Sequence, residues 1–225
     1  MQIRNEAHRY LTEILTHLNQ WVDEIVIIDD NSTDNSREIC RSFDKVSRII
    51  ELKKNTFEFE YELRKNLWEE VKKSDPDWIL IIDADEVFED KMISQIRSLI
   101  DQTEYDWVGF RLYDFWGSKT HYRSDNYWRA HNHHDPILVR YIDGLPEIWK
   151  EYPVHTGRYP LTYFTALTGM KSDIRIKHYG WAGDEKERLR KYHRYMASDS
   201  QGIYGSLGQY QSILDKNPHL IEWKD

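Results

Sequence analysis

A single cysteine, Cys40, stands among 225 residues, which excludes an internal disulfide. That scarcity, with no signal peptide at the N-terminus, points to a reducing, cytoplasmic setting. Long apolar runs are missing too. The strongest, residues 78–82, is far shorter than the ~20 residues a membrane-spanning helix needs. Contact with a membrane surface through loops or partners stays open. Positive charge is also short: the formal net charge is −8, with no basic stripe to displace counterions from a phosphate backbone, so no nucleic-acid partner is expected. Nor is there a glycine-rich, basic phosphate loop near the start.

What is present reads as one globular unit. Hydrophobic residues make up 40% and charged residues 31%, enough of each to build a core and solvate a surface. The length suits one domain, residues 1–225, without repeat or long linker. Aromatic residues reach 14%, which serves either core packing or the stacking of flat ligands and sugar faces.

Up to about residue 112 the pattern alternates. Ala7, Tyr10, Leu11, Ile14, Leu15 and Leu18 share one helical stripe. Residues 24–28 form a β-branched run that stops at Asp29-Asp30. A polar, cap-rich stretch then leads into a helix carrying Ile39, Cys40 and Phe43. Residues 48–52 read as a strand, and Leu63, Leu67, Trp68 and Val71 as a helix ending before Asp75-Pro76. Residues 78–82 form the next strand, ending in Asp83-Ala84-Asp85-Glu86. A helix on Met92, Ile93, Ile96, Leu99 and Ile100 and a strand on Val108, Phe110 and Leu112 complete this half. Such alternation implies an α/β fold with a mostly parallel sheet and helices on both faces. From about residue 113 the chain turns aromatic, His-rich and less regular, with a short strand at Ile174 and Ile176 and a late helix on Leu189, Tyr192, His193 and Met196.

Two acidic clusters end hydrophobic strands, at the sheet edge where open α/β folds bind ligands. Alternate residues of an extended segment point the same way, so Asp83 and Asp85 can face one site. Carboxylates repel a diphosphate, but Mg²⁺ or Mn²⁺, which prefers oxygen ligands, bridges the two. It would also stabilise the charge gathering on a diphosphate leaving group. Capping of the next helix explains Asp29-Asp30 alone better, and explains Asp83-x-Asp85 alone as well as a metal does. The two clusters together favour a shared site.

The run Glu24-Ile25-Val26-Ile27-Ile28-Asp29-Asp30-Asn31-Ser32-Thr33-Asp34 resembles the nucleotide-binding strand and loop of family-two glycosyltransferases of the GT-A, Rossmann-like fold. Trp78-Ile79-Leu80-Ile81-Ile82-Asp83-Ala84-Asp85-Glu86 resembles their DxD strand, and Arg4-Asn5-Glu6 the segment after their first strand. Those enzymes open with a full hydrophobic strand, where only residues 1–3 stand here. The resemblance implies transfer of a sugar from a nucleoside-diphosphate donor to an acceptor hydroxyl, with residues 1–112 holding the donor and 113–225 the acceptor. It further implies Asp29 and Asp30 on the donor base and ribose, Asp83 near the ribose and metal, Asp85 on the metal, and Arg64 facing the nucleotide. A late histidine completes the metal shell in related enzymes, and His178, before Gly180 and Trp181, resembles it. A nucleotidyltransferase and a non-catalytic sugar- or nucleotide-sugar-binding module are the alternatives.

An inverting reaction needs a carboxylate to take the acceptor's proton. Asp135 and Glu147 are the candidates, with Asp125, Asp143 and Glu151 behind them, and a surface role is the simpler reading of each. His155 is a second candidate ligand. His131, His133 and His134 crowd together, but without cysteine or zinc-site spacing they read as a solvated loop. Trp116, Trp128 and Trp149 are candidate acceptor platforms, with core packing the default.

Overall fold

The computed structural model describes residues 1–54, 56 and 59–225. In chain order the first half comprises β1 (Gln2–Ile3), α1 (Leu11–Leu18), β2 (Ile25–Asp29), α2 (Ser36–Arg41), β3 (Val46–Glu51), α3 (Glu60–Lys72), β4 (Trp78–Leu80), β5 (Glu86–Phe88) and α4 (Lys91–Ile100). The second comprises β6 (Trp107–Trp116), β7 (His121–Arg123), β8 (Asp135–Arg140), α5 (Thr162–Ala166), β9 (Gly169–Trp181), α6 (Glu185–Ser198), α7 (Leu207–Ser212) and β10 (Leu220–Glu222).

Every residue of β2 is buried, which explains its unbroken apolar run: a strand covered on both faces has no solvent side to mark. It pairs in parallel with β1 and β3, in the order β1-β2-β3. The expected α/β class holds, and this sheet is the parallel part of it. Beyond it the strands are mostly antiparallel. The second sheet runs β10-β7-β6-β8-β4, with β9 between β6 and β5, and its one parallel pair among the described residues is β6 with β9. The parallel expectation reaches less far because β4 pairs with the later, antiparallel β8.

Two further expectations shift. The short strand at Ile174 and Ile176 is a 13-residue strand, β9, the principal neighbour of β6. Its buried residues Ser172, Ile174 and Ile176 alternate with the more exposed Lys171, Asp173, Arg175 and Lys177, so one face is solvated. The division near residue 112 falls inside β6, so the two halves share a strand.

α1 and α4 press Leu11, Ile14, Leu15, Leu18, Met92, Ile96 and Leu99 onto the same core as Ile27, Val108, Phe110, Ile174 and Ile176. α3 covers the opposite side, packing Leu63 and Leu67 on Val26 and Ile28. Ile27 is wholly buried, so Ile27→Ala should cost about 2–5 kcal/mol in urea denaturation, with no change in the slope that reports exposed surface.

Candidate active site

Past β4, three carboxylates crowd four residues: Asp83, Asp85 and Glu86. Two guanidiniums from elsewhere in the chain absorb much of that charge. Arg64 on α3 grips Asp83 with both terminal nitrogens, at 2.8 and 3.2 Å. Arg158 bonds Glu86 at 2.8 Å, the Ile81 carbonyl at 3.2 Å, and lies 3.7 Å from Asp83. Glu86 is 1% exposed and also accepts the Asp83 amide at 3.0 Å. Burial opposes ionisation of Asp83, but Arg64 and Arg158 overcome it and hold its carboxyl far below the usual range. The expectation put Arg64 on the donor and Asp83 on the donor and metal. In the structure each is the other's partner.

Asp85 differs. Its Oδ1 lies 3.7 Å from His178 Nε2, and His178 Nδ1 is 2.6 Å from Asp114 on β6. The strand register explains the meeting: Glu86 pairs with His178 across β5 and β9, and Asp114 pairs with His178 across β6 and β9. Burial works against a charged imidazole, but Asp85 and Asp114 outweigh it and raise His178 to about 9. Gly180 leaves room beside them. A Cβ there would sit 2.4 Å from His178 Nε2 and 3.0 Å from Asp85 Oδ2.

Among the described residues, no three carboxylate, imidazole or thiolate side chains converge as a ready metal cage. The Asp85–His178 pair nevertheless suits a divalent ion that takes its other ligands from phosphate and water. The donors are oxygen and imidazole nitrogen, and Asp114 fixes the ring as carboxylates do behind ligating histidines.

Asp29 and Asp30 separate in role. Asp29 is fully buried and accepts the Ser32 amide at 3.1 Å, which makes it the cap of its own loop. Asp30 accepts the Thr56 amide at 2.7 Å and hydroxyl at 2.9 Å, with Arg4 at 3.4 Å. The segment of Arg4, Asn5 and Glu6 is laced to the loop after β2: the Asn5 and Glu6 amides donate to Ser32 and Ser36. Glu6 feels the field of Asp85. The two acidic clusters follow strands of different sheets, β2 in the first and β4 in the second.

Asp135 opens β8. The Ile81 amide donates to the Ile137 carbonyl at 3.0 Å, so Asp83 and Asp135 each stand two residues beyond a paired position. Solvent reaches Asp135, yet the protein packed around it raises its pKa against the pull of Arg158. Glu147 is drawn elsewhere: it accepts Trp68 Nε1 at 2.9 Å and Lys72 at 2.8 Å, a tie to α3 that keeps its carboxyl below the usual range. Asp125 serves Arg123, Glu151 serves Lys65, and Asp143 accepts from Tyr141. His131 stacks on Tyr113. His155 bonds the Tyr210 hydroxyl at 2.7 Å instead of joining Asp85 and His178. Trp116 and Trp128 are 3% and 2% exposed, which makes them core, and Trp149 packs on Trp68.

The chain matches the profile of Glycosyl transferase family 2 over residues 1–160. It belongs to that family. An uncharacterized glycosyltransferase of Mycoplasma pneumoniae, a homolog of MG060, is 28% identical over 41% of this chain and 31% of its own length. The glycosyltransferase GlyG of Streptococcus pneumoniae is 29% identical over 48% of this chain and 36% of its own. The aligned stretch thus spans about a third of each relative. Among solved structures, S. aureus TarS residues 1–349 superposes with a TM-score of 0.53 at 16% identity, covering 95% of this chain and 67% of that one. The same protein in complex with UDP gives 0.52 at 15%, covering 95% and 68%. The fold is shared at that distance. Among the described residues, no helix is long and apolar enough to cross a membrane.

Gly180→Ala should crowd His178 Nε2 and Asp85 Oδ2 and lower the melting temperature, while the circular dichroism spectrum keeps its native shape. Arg64→Ala should cost about 1.5–3 kcal/mol in urea denaturation, because Asp83 loses two charge-assisted hydrogen bonds and keeps only Arg158, 3.7 Å away. Asp83 has a depressed folded pKa, so its contribution is present above its unfolded value near ~4 and lost as pH falls towards the folded one. Asp83→Asn should therefore destabilise at pH 7 in urea melts, with the gap to wild type closing below about pH 4.

Proposed function

We propose that the protein transfers a sugar from a nucleoside-diphosphate donor to a hydroxyl acceptor, and that Asp85 and His178 hold Mg²⁺ or Mn²⁺ against the donor's diphosphate. The observation that carries this reading is the Asp114–His178–Asp85 line beside Gly180. It offers one carboxylate and one oriented imidazole at a strand edge, both packed close against a residue without a side chain. The glycosyltransferase names of the curated relatives support it, as does the UDP complex of TarS.

Each group then has a task. Asp114 holds His178 by Nδ1, which leaves Nε2 to face Asp85. Arg64 and Arg158 offset Asp83 and Glu86 with their own charge, so the edge does not expel an anionic ligand. A bound divalent ion would supply Lewis-acid charge to the diphosphate oxygens. Asp135, with its raised pKa, takes the acceptor's proton as that oxygen bonds the anomeric carbon and the bond to the diphosphate breaks. The electron pair of the broken bond leaves on the diphosphate.

A panel of nucleotide sugars with Mn²⁺ tests the reading through release of nucleoside diphosphate. Wild type should release it, and a chelator should stop release. Asp85→Asn should lower the rate by about 10²–10³, while Asp135→Asn should lower turnover by about 10²–10⁴ with donor affinity kept. Tight, metal-dependent binding without release would identify a binding module instead.

A further inference from the structure

We propose that Lys191, on α6, is a second anchor for the donor's diphosphate, contributing a fixed positive charge beside the Asp85–His178 pair. This rests on the functional reading above and adds a residue that the family-matched segment, residues 1–160, does not contain.

The geometry is specific. Lys191 Nζ donates to the Gly180 carbonyl, and Gly180 is the residue whose Cβ would strike both His178 Nε2 and Asp85 Oδ2. The ammonium is therefore tied to the backbone that forms the wall of the proposed metal position. Its other contact is the Trp181 ring, 4.7 Å away. Among the described residues, no carboxylate lies within 4.0 Å of it.

The nearby cations are engaged differently. Arg64 is committed to Asp83 and Glu60, Arg158 to Glu86 and Asp83, and Arg9 to Glu6 at 3.2 Å. Their charge offsets protein carboxylates and leaves little for a ligand. Lys191 instead feels Asp85 without being neutralised by it, and Arg9 and Arg194 crowd it. Burial and those like charges together lower it to about 8, a cost that an arriving polyanion relieves.

α6 is held firmly enough to aim this group. Asp184 caps its first turn by accepting the Glu187 amide at 2.8 Å. One turn beyond Lys191, Tyr195 lies flat against Tyr210 and His155, with centroids 5.3 Å from each and planes within 5° and 14°. His155 pays for its place with a left-handed backbone, φ 57°. As the bond to the anomeric carbon breaks, its electron pair stays on the diphosphate and Lys191 donates a hydrogen bond to it. No proton has to leave the ammonium.

The test uses inorganic pyrophosphate in EDTA, measured by titration calorimetry. Wild type should bind it. Lys191→Met should bind about tenfold or more weakly, the worth of one charge-assisted hydrogen bond, and Lys191→Arg should stay near wild type. Mn²⁺ titrated without pyrophosphate should bind Lys191→Met as well as or better than wild type, since a cation beside Asp85 is gone. Absence of metal-free pyrophosphate binding in wild type, equal binding by Lys191→Met, or parallel loss of Mn²⁺ binding overturns the proposal. If wild type and Lys191→Met release nucleoside diphosphate identically at every donor concentration, the role of Lys191 falls and the transferase reading stands. If wild type with Mn²⁺ neither binds nor turns over any nucleotide sugar, it is the transferase reading that falls.

Discussion

Mutual repulsion among Asp83, Asp85 and Glu86 is the constraint around which this structure is arranged. Three carboxylates within four residues of a buried strand end would push the segment into solvent if left unpaired. Arg64 reaches in from α3 and Arg158 from the loop after β8, and between them they bind Asp83 and Glu86. Those contacts join α3, the β4–β5 corner and the loop before α5 into one assembly. They also sort the three acids. Two are spent on structure, while Asp85 is left with an imidazole as its neighbour.

The first half of the fold was readable because its apolar runs end abruptly in acids, and β2 is buried along its whole length. Residues 25–29 and 78–82 could hardly be anything else, and the acids after each mark the sheet edge. The second half hides its signal. β9 alternates charged and buried residues over much of its length, but Lys171, Asp173, Arg175 and Lys177 make it look like a polar loop to an eye seeking apolar runs. Once that strand is missed, its partners are missed as well. Asp114 stands within an aromatic stretch of β6, and only the register of β6 on β9 puts it against His178.

The remaining site residues divide by whether their role depends on distant contacts. His178 stood out in the sequence as a candidate, with a strand before it and glycine after. Arg158 and Lys191 were not, since an arginine in a loop and a lysine in a charged helix look like solvated surface. Their meaning comes from long-range placement on Glu86 and Gly180. Trp116 and Trp128 were candidate sugar platforms with core packing as the default, and the default holds: they pack with Trp181 and Ile213. Aromatic excess here serves the core.

The parallel pair of β6 and β9 joins Trp107 to Gly169 and Trp116 to Trp181, positions more than sixty residues apart in the chain. Both partners of His178, Asp114 and Asp85, are synthesised well before it. A nascent chain leaving the ribosome thus carries its acidic corner for a long interval without the imidazole that completes it, and it acquires the full constellation only after β9 emerges. Closing so large a loop costs chain entropy before its contacts form, and the site cannot assemble until β9 has been made.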